Sequence, residues 1–181
     1  MRARASGAHT PSVEIAADEV RRRLPALTDL LVDAVDGGGA NGFLRPLAPS
    51  DASAYWKRRI DDIEGGRSIL LGTTAADGSL TGVVILDLAG QPNGQHRAEV
   101  TKLMVHSSAR RQGLGARLLA EVEDAARERG RRLLVLDTVP GSDAERLYRR
   151  HGWIEVGVIP DFALLPDGEP APTVFFYKRL G

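Results

Sequence analysis

Between residues 67 and 136 the apolar side chains change their spacing twice, and that succession limits the fold more than any other feature of the chain. Arg67 to Thr74, Leu80 to Leu88 and Arg97 to Val105 follow the two-residue period of strands. The breaks between them, Asp77-Gly78 and Pro92-Asn93-Gly94, leave room only for turns, so the three strands form an antiparallel meander. A polar, basic connection from His106 to Gln112 then leads to a long helix with Leu114, Leu118, Leu119, Val122, Ala125 and Ala126 on one face. Arg117 with Glu121, and Glu123 with Arg127, have the i, i+4 spacing of ion pairs on the opposite face. Gly130 ends that helix, and Leu133 to Leu136 is a continuous apolar run, as expected of a strand buried on both faces. A strand, a crossover helix and a further strand make a parallel pair, so the sheet is mixed.

Before this segment the spacing predicts helix. Val20, Leu24, Leu27, Leu30, Leu31, Val32 and Val35 recur at helical intervals from Ala17 to Asp36, with a kink expected at Pro25. The run stops at Gly37-Gly38-Gly39, and a loop with few side chains continues to Phe43. A second helix, capped by Ser50 or Asp51, is expected to reach Glu64. After the central segment, Ser142 and Glu145 have the spacing of a capping box for a short helix that carries Leu147 and Tyr148 and stops at Gly152. Trp153 to Ile159 and Thr173 to Lys178 read as two last strands around a loop rich in Pro, Asp and Gly. The class is α/β in the broad sense, with α+β character.

With 181 residues and 43% hydrophobic content the chain suits one core, so a single domain over residues 12–181 is expected behind a mobile tail of residues 1 to about 11. Twenty-four basic side chains balance 24 acidic ones, which disfavours a nucleic-acid partner bound through many phosphates. No apolar run approaches the roughly 20 residues that span a bilayer, and no apolar segment follows the basic start. A cytoplasmic location without a membrane partner is the expectation. Cysteine is absent, which removes disulfides, thiolate metal sites and a sulfur nucleophile together. Only three lysines occur, Lys57, Lys102 and Lys178, so an anion site is expected to use arginine or backbone amides.

The stretch Arg110-Arg111-Gln112-Gly113-Leu114-Gly115 lies between a strand and the long helix. A helix start offers unpaired amides and a positive dipole end, and glycines admit a diphosphate close to the backbone. The Walker string G-x-x-x-x-G-K-[ST] does not occur. A dinucleotide fingerprint would need a third glycine where Leu118 stands, although Asp137 imitates its ribose-binding acid. A plain connecting turn is the remaining alternative.

Taken in order, Arg110-x-x-Gly113-x-Gly115, the helix, Leu133 to Thr138, and Ala144, Leu147, Tyr148 and His151-Gly152-Trp153 resemble the acetyl-CoA-binding core of the GNAT acetyltransferases. Pro92-Asn93-Gly94, Arg97-Ala98-Glu99-Val100, Lys102-Leu103-Met104-Val105, Leu136-Asp137-Thr138 and Gly141-Ser142 are similar to the tabtoxin-resistance type of that superfamily, over roughly residues 13 to 180. The resemblance implies a mixed, mostly antiparallel seven-stranded sheet with helices on both faces. It implies acetyl-CoA as acyl donor, with pantetheine along the amides of Leu103, Met104 and Val105. The diphosphate would lie on the loop from Arg110, Arg111 and Gln112 through Gly113, Leu114, Gly115, Ala116 and Arg117. Where the family often has Asn before the short helix, this chain has Gly141-Ser142, which makes Ser142 the candidate contact.

The resemblance further implies Glu99 and Asp137 as candidate bases and Tyr148 as the donor to the departing thiolate, with the amide near Val105 serving the oxyanion. It points to direct transfer to an amine or hydroxyl of a small-molecule acceptor, such as an amino-acid-like toxin or antibiotic, which Gly37 to Phe43 and Pro160 to Pro172 are expected to choose. A protein or peptide acceptor and a non-catalytic acyl-CoA-binding module are the alternatives, and a homodimer is a common assembly of such enzymes. His106 is expected to be a surface loop residue. His9, His96 and His151 share no metal-like spacing, so no metal site is expected.

Overall fold

The structure is a computed structural model that describes residues 12–181, so the expected tail over residues 1 to about 11 lies outside the described residues. Seven strands are found among the described residues: β1 (Val13–Glu14), β2 (Ser68–Thr74), β3 (Leu80–Leu88), β4 (Arg97–Val105), β5 (Leu133–Thr138), β6 (Ile154–Leu164) and β7 (Pro170–Arg179). They form one sheet in the order β1-β2-β3-β4-β5-β7-β6. Only β4 and β5 pair in parallel, across the connection through a helix that the apolar spacing predicts. The helices are α1 (Ala17–Arg22), α2 (Leu24–Asp36), α3 (Pro49–Glu64), α4 (Leu114–Glu128) and α5 (Asp143–Arg150).

Alternation along the strands sends side chains to opposite faces of the sheet, and each face has its own core. On one face, Leu118, Leu119 and Val122 of α4 and Tyr148 of α5 pack on Val84, Val100, Leu134, Leu136 and Phe176. On the other, Leu27, Leu30, Leu31 and Trp56 from α2 and α3 pack on Leu70, Val83, Ile85 and Met104. Trp56 also locks α3 to α2, donating its indole N–H to the Leu27 carbonyl at 2.8 Å.

Several local expectations are corrected. The first helix breaks at Arg23 rather than kinking, because Pro25 occupies the first turn of a new helix, where its missing N–H costs nothing. Neither Ser50 nor Asp51 caps α3, which begins at Pro49 behind an extended Ala48. Glu123 does not pair with Arg127. Its carboxylate is only 6% exposed and takes hydrogen bonds from Lys178 at 2.7 Å and from the Trp153 indole at 3.1 Å, while Arg127 turns to Asp124. A buried carboxylate needs such partners, and α4 lies close enough to β7 to supply them.

β5 is buried on one face only. Leu134 and Leu136 lie in the core, whereas Leu133 and Val135 are half-buried, because the core of α1 to α3 is built on β2, β3 and β4. The segment from Pro160 to Pro172 is mostly strand, as β6 and β7 extend to a tight turn at Pro166–Gly168.

Candidate functional site

The parallel pairing of β4 and β5 runs from Arg97 opposite Leu133 to Glu99 opposite Val135, and no further. Beyond that point the strands part. The segment of β4 holding Leu103, Met104 and Val105 keeps β3 on one side and has no strand on the other. At the mouth of this gap stands the start of α4. Gly113 is its N-cap residue with φ of 80° and has no side chain with which to cap the helix, and a Cβ on Gly113 would meet nothing within 4 Å. The first-turn amides of Leu114, Gly115 and Ala116 have no carbonyl partner within the helix, and the dipole's positive end lies behind them. Amides at a helix start of this kind suit a phosphate group.

The two arginines before α4 behave differently. Arg110, though exposed, folds back on the chain, donating from Nε to the Val105 carbonyl at 3.1 Å and standing 3.6 Å from Asp33 of α2. Arg111 is exposed, with φ of 61°. Asp33 also accepts from the Ser107 amide and hydroxyl at 2.8 and 2.6 Å. Burial alone would raise the Asp33 carboxyl, but the Ser107 hydrogen bonds outweigh it and hold it below the usual carboxylate range. The loop before α4 is thus tied to the helix layer on the far side. His106 is half-buried and caps the short turn at Ser107–Ala109, accepting from the Ser108 amide at 3.2 Å.

Glu99 and Asp137 share the face of the sheet opposite α4. Before the gap, alternation puts Ala98 and Val100 in the α4 core and Glu99 on the other side, and Leu134 and Leu136 do the same for Asp137. Glu99 stays exposed at the sheet surface, yet the protein packed around it strips enough water to raise its carboxyl above its ordinary value, and the charges of Asp87 and Asp137 add to that rise. Asp137 accepts a hydrogen bond from Thr173 of β7 at 2.8 Å. Tyr148 lies on the other face, its ring 5.8 Å from Trp153 and 6.3 Å from Phe176. Burial first, and then the Asp137 charge, raise its hydroxyl so that it keeps its proton at neutral pH. The fold therefore brings Asp137 within electrostatic reach of both Glu99 and Tyr148.

Ser142 caps α5, its hydroxyl oxygen accepting from the Glu145 amide at 3.1 Å. Glu145 completes a variant of the expected capping box by reaching the Gly141 amide instead of that of Ser142.

Sequence reasoning missed the polar cluster roofed by α3. Asp87 of β3 takes hydrogen bonds from Arg59, from Ser68 at 2.5 Å and from Thr101 at 2.9 Å. Beside it Lys102 lies over the Tyr55 ring, 5.4 Å from the centroid, and Phe43 meets Tyr55 edge-on at 5.6 Å. The signal was present: Thr101 and Lys102 are adjacent polar residues between Val100 and Leu103, which breaks strict alternation by one position.

Two residues beyond the first of the expected acceptor loops, Arg45 meets the second. The Arg45 amide donates to the Pro166 carbonyl at 2.8 Å, and the Arg45 guanidinium lies 3.7 Å from Asp167. Among the described residues no helix is long and apolar enough to cross a membrane, and no group of three or more His, Asp and Glu side chains is placed to hold a metal.

Residues 41–153, which contain the parallel pair, the start of α4 and the short helix, match the family model described as Acetyltransferase (GNAT) family. The chain belongs to the GNAT acetyltransferases. Among curated relatives of this GNAT chain, the mycothiol acetyltransferase of Geodermatophilus obscurus is 38% identical over 137 residues, covering 71% of this chain and 42% of that protein. An uncharacterized N-acetyltransferase of the hisH-hisA intergenic region of Azospirillum brasilense is 34% identical over 113 residues, covering 61% and 65%. The chain thus spans less than two thirds of the length of these two relatives. A solved GNAT superfamily phosphinothricin acetyltransferase from Sinorhizobium meliloti, in complex with acetyl-CoA, superposes with a TM-score of 0.78 at 19% identity, covering 96% of this chain and 89% of that one. That likeness establishes the GNAT fold.

Proposed function

We propose that this GNAT protein is an acetyl-CoA-dependent N-acetyltransferase that passes the acetyl group directly to the amine of a small molecule. The observation that carries the reading is the glycine start of α4 at the mouth of the gap between β4 and β5, with two carboxylates on one wall. Acetyl-CoA supplies an activated thioester. The first-turn amides of Leu114, Gly115 and Ala116 hold its diphosphate, with Gly113 keeping the approach clear, while Leu103, Met104 and Val105 offer backbone groups along the arm.

Glu99, raised by burial and by Asp87 and Asp137, is suited to take the proton that the acceptor amine gives up, directly or through a water, and Asp137 shares the task. The amide near Val105 serves the oxyanion, and Tyr148, which keeps its proton, supplies it to the thiolate that leaves. With no cysteine in the chain, transfer needs no enzyme thioester. Likeness to the tabtoxin-resistance type supports a small acceptor over a peptide.

Calorimetric titration with acetyl-CoA, followed by turnover of a panel of amines, tests the proposal. Glu99→Gln and Asp137→Asn are each expected to lower kcat by about 100-fold, within the usual range for a general base, while leaving acetyl-CoA affinity unchanged. Wild-type turnover in both variants removes the base assignment, and failure to bind acetyl-CoA removes the function.

A further inference from the structure

The bulge in β4 creates a feature that acetyl transfer as such does not require. Thr101 pairs with Ile85 and Met104 with Val83, so Val84 alone opposes both Lys102 and Leu103. The extra residue reverses the alternation. Thr101 reaches Asp87 and Lys102 reaches Tyr55, so two consecutive side chains point to the α3 side. Lys102 adopts φ of 52°, a left-handed conformation that a lysine enters only at a cost of roughly 1 to 2 kcal/mol. Strain of this kind persists where the surrounding structure imposes it, and it concentrates at functional sites.

The placement leaves the ammonium without a direct polar partner among the described residues. Lys102 is half-buried, yet among the described residues its Nζ forms no hydrogen bond and no ion pair, only its contact with the Tyr55 ring. Asp87 is not its counter-ion, since both carboxylate oxygens are committed, one to Arg59 and Ser68 and the other to Thr101. Asp137 is engaged by Thr173. Burial first, and then the nearby Arg59 charge, disfavour the charged form of Lys102 and outweigh the through-space pull of Asp87, Asp137 and Glu99, so an anion in direct contact with Nζ would be welcome. The wall of the cleft thus presents two signs of charge: Glu99 and Asp137 attract a cation, and Lys102 attracts an anion and repels a simple cation.

We infer that Lys102 is the anion-binding residue of the acceptor site, and that the acceptor is a zwitterionic amine whose carboxylate or similar oxyanion docks on Lys102 while its nitrogen lies toward Glu99 and Asp137. Phe43 and Tyr55, in edge-to-face contact, form the apolar wall beside that anion. The inference rests on the transferase reading above and names the class of molecule it acts on.

The test compares free α-amino acids with their α-amides and with the matching amines that lack the carboxyl group. Two readouts are used: acetyl transfer, and calorimetric acceptor binding in the presence of CoA. The wild type should favour the free acid by about 10- to 100-fold in kcat/KM, the range expected of one charge-assisted hydrogen bond. Lys102→Met should bring the ratio of acid to amide close to one, chiefly through KM, and Lys102→Arg should restore part of it. A role for Lys102 in tuning Glu99 alone would instead shift the acid limb of the pH profile for acid and amide alike, and that result overturns the inference. Equal use of acid and amide by the wild type overturns it too. Carboxylate-selective binding that Lys102→Met abolishes, without turnover of any amine, would sustain the Lys102 site and overturn the transferase reading.

Discussion

Replacing Gly113 with Asp puts a negative charge where the diphosphate of acetyl-CoA should lie. The substitution is informative because its two costs separate. Gly113 has φ of 80° and nothing within 4 Å of an added Cβ, so the folded state pays only for the left-handed backbone, about 1 kcal/mol for a residue as tolerant of that region as Asp. For a domain of this size, such a loss lowers Tm by roughly 2 to 4 °C. The binding cost is larger. One charge pair about 4 Å apart is worth about 1 kcal/mol in bulk water and about 4 kcal/mol near a protein surface. Two diphosphate charges therefore cost at least ~2 kcal/mol, or about a 30-fold loss of affinity. Gly113→Asn is the control, nearly the same in shape and in backbone preference but uncharged. Titration calorimetry with acetyl-CoA, with a melting curve for each variant, should show similar Tm values for Asp and Asn but much weaker binding for Asp alone. Equal affinities would refute the placement of the diphosphate at the start of α4.

Glu99 also links the site to stability. Its carboxyl is raised above an ordinary value of 4.5, so as pH climbs through that window the unfolded chain has already released a proton that the folded chain still holds, and stability falls. Glu99→Gln should therefore melt higher than wild type at neutral pH, with the gap closing below about pH 4.5, and wild-type turnover should lose its acid side above that value; a variant that melts lower at pH 7 would contradict the sign. Glu123→Ala strips Lys178 and Trp153 of their buried partner and should cost about 3 to 5 kcal/mol, a Tm drop of roughly 10 °C, and a loss under 2 °C would mean that the cluster relaxes at little cost.

Much of the fold follows from short-range pattern. The meander of β2, β3 and β4, the crossover through α4 and the parallel strand β5 are all encoded by spacing within ten to twenty residues, which is the range over which hydrophobic period acts. The start of α4 at Gly113 is legible for the same reason, since a strand, a glycine turn and a helix start are consecutive in the chain. Side-chain partners between distant elements are not legible in this way. Glu123 has the sequence spacing of a surface ion pair with Arg127, and only the seating of α4 against β7 turns it inward to Lys178.

The sequence by itself therefore determined the order and type of the elements and the glycine turn at the start of α4, because helix termini and strand periods are local properties of the backbone. Tertiary structure decided what faces that place. The parallel register stops at Glu99 opposite Val135, which opens the gap and sets Glu99 and Asp137 on one wall although they are distant in the chain. One extra residue in β4 then turns Lys102 toward Tyr55 and leaves it without a hydrogen bond or ion pair among the described residues. Register and bulge are settled by how a whole sheet pairs and packs, and no single stretch of sequence carries that information.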